Sequence, residues 1–337
     1  MRIFFSTVVR DAPPDRGGEI VRMDWETGRV EARAPVRAMD PDPGDRAVGS
    51  STRGGRGVRI LGSGICVASY HTLHFLGPDL APRRAILHSL LAGVHETWTD
   101  GDGTIWAACT ALDAVVRLDL ADGRLVEAFW PCENPAVQRA FGVVPMEIDK
   151  SGDCRVSTVR DRTLKKNRLH LNAVAPWRDA MLALCSRPGA VIDLRTGDVR
   201  LRDEALKGAH NLVVLPDGTA LVNDTARRAI LFYDLPSARL VRRIDLMAVP
   251  DIRSLVRRCS AAYAIRRALA AVGMFRGNPP RPLFVRGLAL EKDRLFVGIS
   301  PAAILCFEFP GGRFLGLRPY SWDVRTTMHG LAVGEGA

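Results

Sequence analysis

One stretch recurs along the chain. Its clearest copy runs from His210 to Asp224: a polar opening residue, an apolar run from Leu212 to Leu215, the turn Pro216-Asp217-Gly218, and a second apolar run ending on Asn223 and Asp224. Asp and Gly supply the backbone geometry of a tight turn, so the stretch reads as a β-hairpin. Related copies open at Arg56, His95, His170 and Arg286. They turn at Gly62-Ser63-Gly64, Asp100-Gly101-Asp102-Gly103, Trp177-Arg178-Asp179 and Glu291-Lys292-Asp293. A last copy opens at His329 and runs out at Gly334-Glu335-Gly336-Ala337, where its turn is due. Every copy opens with His or Arg.

The spacing of the copies selects an architecture. Arg56 to His95 is 39 residues, His170 to His210 is 40, and Arg286 to His329 is 43. A four-stranded propeller blade takes about 40–45 residues. Each copy is followed by a second hairpin turn, at Gly77-Pro78-Asp79, Ala121-Asp122-Gly123, Arg195-Thr196-Gly197-Asp198, Pro236-Ser237-Ala238 and Pro310-Gly311-Gly312. The N-terminus supplies what the C-terminal copy lacks: Arg2–Thr7 as strand two, Glu19–Trp25 as strand three and Arg29–Ala32 as strand four. The reading is an all-β, six-bladed β-propeller, a single domain over 1–337, closed by pairing N-terminal strands with the C-terminal strand. Closure removes the exposed edges that an open array of sheets would leave.

Two intervals are longer, 75 residues from His95 to His170 and 76 from His210 to Arg286. Each is one blade plus an insertion. Residues 131–168 contain Pro131, Pro135 and Pro145 and end on Lys165-Lys166-Asn167-Arg168; residues 248–283 hold a helix over about 251–274 with Arg253, Arg257, Arg258, Arg266 and Arg267. Both insertions join one blade to the next, on the face where innermost strands begin, and are expected to cap the channel face. A basic amphipathic helix can also lie on a membrane surface, so membrane-surface contact by 251–274 is the alternative to a cap. Residues 36–55, rich in Asp, Pro, Gly and Arg, form a loop entering the first blade, the one that the Arg56 copy opens.

Composition narrows the partners. The net charge of +10 invites nucleic acid, but the cations are scattered arginines without aromatic interleaving, so no nucleic-acid partner is expected. No apolar run reaches the roughly 20 residues of a membrane helix, and no transmembrane segment is expected. Seven cysteines without metal-type spacing suggest reduced thiols and a cytoplasmic location.

In a propeller the first strand of each blade lines the central channel, so Arg56, His95, His170, His210, Arg286 and His329 fall on one ring. Three or four of His95, His170, His210 and His329 suit a divalent transition metal, Zn or Fe ahead of Cu or Ni. Arg56 and Arg286 would grip an anion or stabilise an oxyanion. Strand two ends beside the ring, which nominates Tyr70 as a base near the metal and Asp224 and Glu96 as groups that orient a histidine. His71, Cys109, Cys185 and Ser300 share that neighbourhood. His74 and His88 fall outside it, and the cysteines read as small buried residues. Polar side chains also line water-filled channels without doing chemistry, and that reading stays open.

His170-Leu171-Asn172-Ala173, the His210 hairpin, and Arg286-Gly287-Leu288-Ala289 with Phe296-Val297-Gly298-Ile299-Ser300 resemble an uncharacterised bacterial family of six-bladed propellers. The resemblance covers roughly residues 90–335 and implies the fold but no activity. In architecture the chain is similar to NHL, SMP-30 and streptogramin-lyase-like propellers, and a His/Arg-lined channel is similar to peptidyl-hydroxyglycine lyases. By that analogy the expected function is a metal-dependent enzyme, of lyase, hydrolase or oxygenase type, acting on a small, anionic molecule or peptide, in specialised biosynthesis. The alternative is a non-catalytic propeller that binds a protein or glycan partner.

Overall fold

The computed structural model describes the chain except residues 11, 13–15, 38–53, 63, 102, 156–166, 275–282 and 335–337. Parts of several sequence-based assignments lie outside the described residues: most of the 36–55 loop, Ser63 and Asp102 of two turns, 156–166 of the first insertion with Lys165-Lys166, the end of the 248–283 insertion, and Glu335-Gly336-Ala337 of the last copy. The chain opens with β1 (Arg2–Val9), β2 (Glu19–Asp24) and β3 (Val30–Pro35). Runs of four strands follow: β4 (Val58–Leu61) to β7 (Pro82–Leu87), β8 (Val94–Trp98) to β11 (Leu125–Phe129), and β12 (Leu171–Trp177) to β15 (Val199–Arg202). Two more runs are β16 (His210–Val214) to β19 (Arg239–Asp245) and β20 (Phe284–Glu291) to β23 (Phe314–Pro319), and β24 (Thr326–Gly334) ends the series.

Among the described residues these strands form six four-stranded antiparallel sheets, five of them in chain order and one in the order β24-β1-β2-β3. The chain is a six-bladed β-propeller. The sheet that joins the two ends is blade one; blades two to six follow in sequence. Closure is by backbone pairing, Ile3 with Val333 and Phe5 with Leu331, and Thr327 donates its hydroxyl to the Val8 carbonyl at 3.0 Å.

The core lies between blades. Successive residues of a strand point to opposite faces, so each strand serves two interfaces. Ile3 and Phe5 pack with Phe296, Ile304 and Met328 between blades one and six, whereas Phe4 packs with Val58, Ile65 and Val67 between blades one and two. Leu221 likewise faces blade six while Ala220 and Val222 face blade four. The Pro-Asp-Gly turn closes as expected: Gly218 has φ 93° and donates to the Leu215 carbonyl at 2.9 Å. That conformation is inexpensive only for glycine.

The first insertion begins with a 3-10 turn (Pro131–Glu133) and α1 (Pro135–Phe141), capped by the Asn134 side chain. Cys132 and Val137 pack against Val174 and Ile192, at the interface of blades three and four. The second insertion is α2 (Pro250–Ala271). Its first half buries Ile252, Leu255, Val256 and Cys259 against Leu246, Val285 and Leu288 of blades five and six. Its second half leaves Ile265 63% exposed. Arg258 stacks over Trp322, 5.3 Å from guanidinium carbon to ring centre, which ties the helix to the segment leading into β24. No helix among the described residues is long and apolar enough to cross a membrane.

Candidate functional site

The ring residues stand at the starts of the innermost strands, and the local backbone there is irregular in a repeated way. Pairing skips from His210 to Leu212 in blade five, from Leu171 to Ala173 in blade four, and from Val94 to Thr97 in blade three. Blade six skips from Val285 to Leu288, and blade one from Met328 to Leu331. A bulge frees a residue from the ladder and re-aims its side chain. His170, Asn211 and Gly287 accordingly take left-handed backbone angles, φ 56°, 57° and 89°. For His170 the surroundings hold that angle. The Asp113 carboxylate accepts three consecutive backbone N–H groups, those of Arg168, Leu169 (2.9 Å) and His170 (2.7 Å).

The next position of each innermost strand builds a floor. A Cβ on Gly57 would lie 2.6 Å from a Glu96 carboxylate oxygen, and one on Gly330 would lie 2.1 Å from the Arg56 carbonyl. Across the axis Asn211 donates to Glu96 at 2.7 Å, while its own oxygen accepts from Gly287 N at 2.9 Å and Asn223 Nδ2 at 3.1 Å. Arg59 stands 3.4 Å from the Glu96 carboxylate. Burial raises the Glu96 carboxyl, against Arg59, which lowers it. Glu96 therefore ties blades three and five together, and the ring above it is the rim of a cup.

On that rim the histidines converge. The His95 ring centre lies 5.7 Å from those of His170 and His210 and 6.2 Å from that of His329. Arg286 places one guanidinium nitrogen 2.7 Å from Nε2 and 3.0 Å from Nδ1 of His329, and its guanidinium carbon 4.5 Å from the Phe284 ring centre. Arg56 covers Tyr70 at 5.1 Å. Burial, reinforced by nearby guanidinium charges, lowers every ring histidine, His170 to about 4 and the other three well below their ordinary value. The imidazoles are neutral at neutral pH. Burial also lowers Arg56 to about 10 and Arg286 well below the usual arginine range, with the charge of Arg10 adding to both effects. Arginines in mutual repulsion with neutral imidazoles make a basin of positive potential.

Two histidines have assignable tautomers. The Thr225 hydroxyl donates to the Val285 carbonyl at 2.8 Å, so towards His210 Nδ1, at 3.0 Å, it can only accept. His210 therefore carries its proton on Nδ1. Its Nε2 is a bare lone pair, buried without a partner. Asn167 Nδ2 faces both the Thr110 carbonyl at 3.0 Å and His170 Nδ1 at 2.9 Å, so that nitrogen accepts and His170 carries its proton on Nε2. Neutral imidazole has one donor and one acceptor, and the two rings present opposite ends.

Of the other sequence-predicted residues, Tyr70 stands beside Arg56 and the ring. Asp224 is fully buried and holds a turn, accepting from Arg227 N at 2.9 Å with the Arg227 guanidinium at 3.6 Å. Its chain neighbour Thr225 orients the histidine. Cys109 and Cys185 are buried thiols, pushed up by burial, Cys109 to about 12 and Cys185 well above its ordinary value, which makes them protonated core residues. Ser300 is buried, and His74 bonds Ser69 away from the ring. Sequence reasoning did not reach Asp113, Asn167, Thr225 or Arg10. Arg10 follows the last residue of β1, which runs two residues beyond Thr7.

The donor set was tested for a transition metal. Among the described residues no three His, Cys, Asp or Glu side chains gather at ligand spacing. His170 turns a ring N–H rather than a lone pair outward, and His329 already faces the Arg286 cation through both nitrogens. As placed, the four imidazoles do not fit a metal ion.

In overall shape the chain is similar to a protein of unknown function from Bacteroides caccae, at 10% identity and TM-score 0.54, over 98% of this chain and 97% of that one. It also matches the β-propeller domain of Myceliophteria thermophila Cps50 (Swd1), at 14% identity and TM-score 0.47, covering 93% and 85% of the two chains. A third match is the Neurospora crassa Pan2 WD40 domain, at 9% identity and TM-score 0.44, covering 91% and 75%. At such identities likeness shows the fold alone, and the two lower TM-scores add nothing to it. No family model and no curated protein matches the chain.

Proposed function

We propose that the channel mouth is the active site of an enzyme, of lyase or hydrolase type, that acts on a small anionic molecule. Arg286 and Arg56 bind the anion, His210 accepts a proton at Nε2 and His170 donates one from Nε2. One observation carries the reading: Arg286 sits half-buried on the rim against a neutral imidazole, and among the described residues no carboxylate pairs with it. A buried cation without a counter-charge is costly, and an anionic ligand is what offsets that cost. A proton acceptor and a proton donor on the same rim are the components of general acid–base catalysis. The seven cysteines, all free, support a cytoplasmic location for this enzyme.

A metal-dependent form of the same reading, with zinc or iron on His95, His170, His210 and His329, is supported by the 5.7 and 6.2 Å spacing of the rings around His95. It would require His170 and His329 to exchange their present partners. Elemental analysis of untagged protein tests it: a stoichiometric metal lost in His95→Ala supports the metal form, and none contradicts it. A second reading, a propeller that binds a protein partner through its upper face, is supported by the exposed second half of α2 and the residues after it, where Ile265 is 63% exposed and Val272 and Met274 are each 69% exposed.

Thermal shift with glycolate, malate and inorganic phosphate tests the anion site. Any of them at about a hundred times its Kd stabilises the folded state by about 2.7 kcal/mol. The expected result is a raised melting temperature in the wild type and none in Arg286→Met. No shift from any of the three in the wild type would overturn the reading.

A further inference from the structure

We infer that the cup selects oxyanions that bring a proton of their own, such as a hydrogenphosphate or an α-hydroxy carboxylate, over oxyanions that bring none. The inference rests on the anion-binding reading above and goes beyond it to the ligand's chemistry. It starts from the orientation of one ring. The single Thr225 hydroxyl proton is committed to Val285 O at 2.8 Å, which leaves the Thr225 oxygen to receive Nδ1–H of His210. The lone pair of the neutral ring is thus fixed on Nε2, the atom with no partner, on a side chain only 8% exposed.

Around that acceptor, three polar groups of the rim bring donors. Arg286 and Arg56 carry only N–H groups, and His170, with Nδ1 occupied by Asn167, offers Nε2–H. An oxyanion without hydrogen satisfies these donors and then presents an oxygen lone pair to the lone pair of His210. An oxyanion with an O–H satisfies both kinds of group at once. A buried site built to pair a polar group rejects an analogue that leaves the group unpaired, and the discrimination exceeds what size alone provides. Rotation of the imidazole by half a turn would place Cδ2 where Nδ1 stands and leave the Thr225 acceptor lone pair unused, so the hydrogen bonds hold the ring with Nε2 as its acceptor.

Phosphate and sulfate give the test, because near pH 8 both are tetrahedral dianions and differ by one hydrogen. Calorimetric titration of the intact protein is expected to show hydrogenphosphate binding roughly tenfold or more tighter than sulfate, and glycolate tighter than acetate by a similar factor. In Thr225→Val the phosphate-to-sulfate ratio is expected to fall towards one while sulfate affinity holds. Equal binding of the two dianions to the wild type, abolished in Arg286→Met, overturns the proton-selective inference and leaves the anion site standing. Binding of neither overturns both. If Thr225→Val fails to fold, nitrogen NMR of the wild type decides: a protonated Nδ1 on His210 supports the inference, and a protonated Nε2 overturns it.

Discussion

Arg286 and His329 share a hydrogen bond in which the imidazole must be the acceptor: the guanidinium nitrogen stands 2.7 Å from Nε2, and a guanidinium has only donors to give. His329 is neutral for as long as Arg286 is there. The pair joins blade six to blade one, the blade in which the two chain ends meet.

Removing the cation should release the histidine. In Arg286→Met, His329 loses the nearest positive charge that lowers it, so its titration midpoint is expected to rise towards the ordinary value of 6.5. Proton or nitrogen NMR titration measures it. An unchanged midpoint would mean that burial alone sets it.

Asp113 gathers the backbone that presents His170. Asp113→Ala leaves three consecutive N–H groups without their acceptor. A cost of about 3 kcal/mol or more is expected in denaturant unfolding, with weaker anion binding as His170 moves. A loss below about 1 kcal/mol would show that water replaces the carboxylate there.

Acid should destabilise the fold through its buried histidines. His74, 8% exposed and bonded to Ser69, is lowered by burial from 6.5 to about 4. The folded state keeps it neutral, so the unfolded chain binds the extra proton between those values. Its contribution is fully present above pH 6.5 and is lost as pH falls towards 4, worth roughly 3 kcal/mol at the limit. The melting temperature of His74→Gln should fall less steeply over that window than that of the wild type. Equal slopes would remove His74 from the account.

Gly330 is a position where blade one meets the axis. Gly330→Ala puts a methyl 2.1 Å from the Arg56 carbonyl and 2.7 Å from both Val58 N and Val58 Cγ2, so backbone of blade two must give way. A loss of about 2 kcal/mol or more is expected in chemical unfolding, and an unaffected midpoint would show that the seam can widen.

Much of this architecture is legible along the chain because it is written locally. Pro216-Asp217-Gly218 and its sister turns mark hairpins, their spacing marks blades, and His or Arg at each strand start marks the ring. The hydrogen bonds that make the ring a site are not local. Asp113 reaches His170 across 57 residues, and Thr225 reaches Val285 across 60. Nothing in the sequence near His170 names Asp113 as its partner. Asp224 ends the strand paired with the one that His210 opens, which makes it the sequence's candidate to orient that ring, but strand alternation sends Asp224 into a turn and leaves its neighbour Thr225 to face the ring. The bulges left a fainter trace, in Asn211 and Gly287, residues that tolerate a left-handed backbone.

The central claim is that Arg286 and His210 meet one anion at the rim of the cup. Crystals soaked near pH 8 in arsenate, a proton-bearing tetrahedral anion with a strong anomalous signal, test it most directly. The expected result is an anomalous peak with its oxygens in hydrogen-bond reach of the Arg286 guanidinium and His210 Nε2, absent in Arg286→Met. A soaked crystal with no peak there, or with arsenate only at surface arginines, would contradict the account.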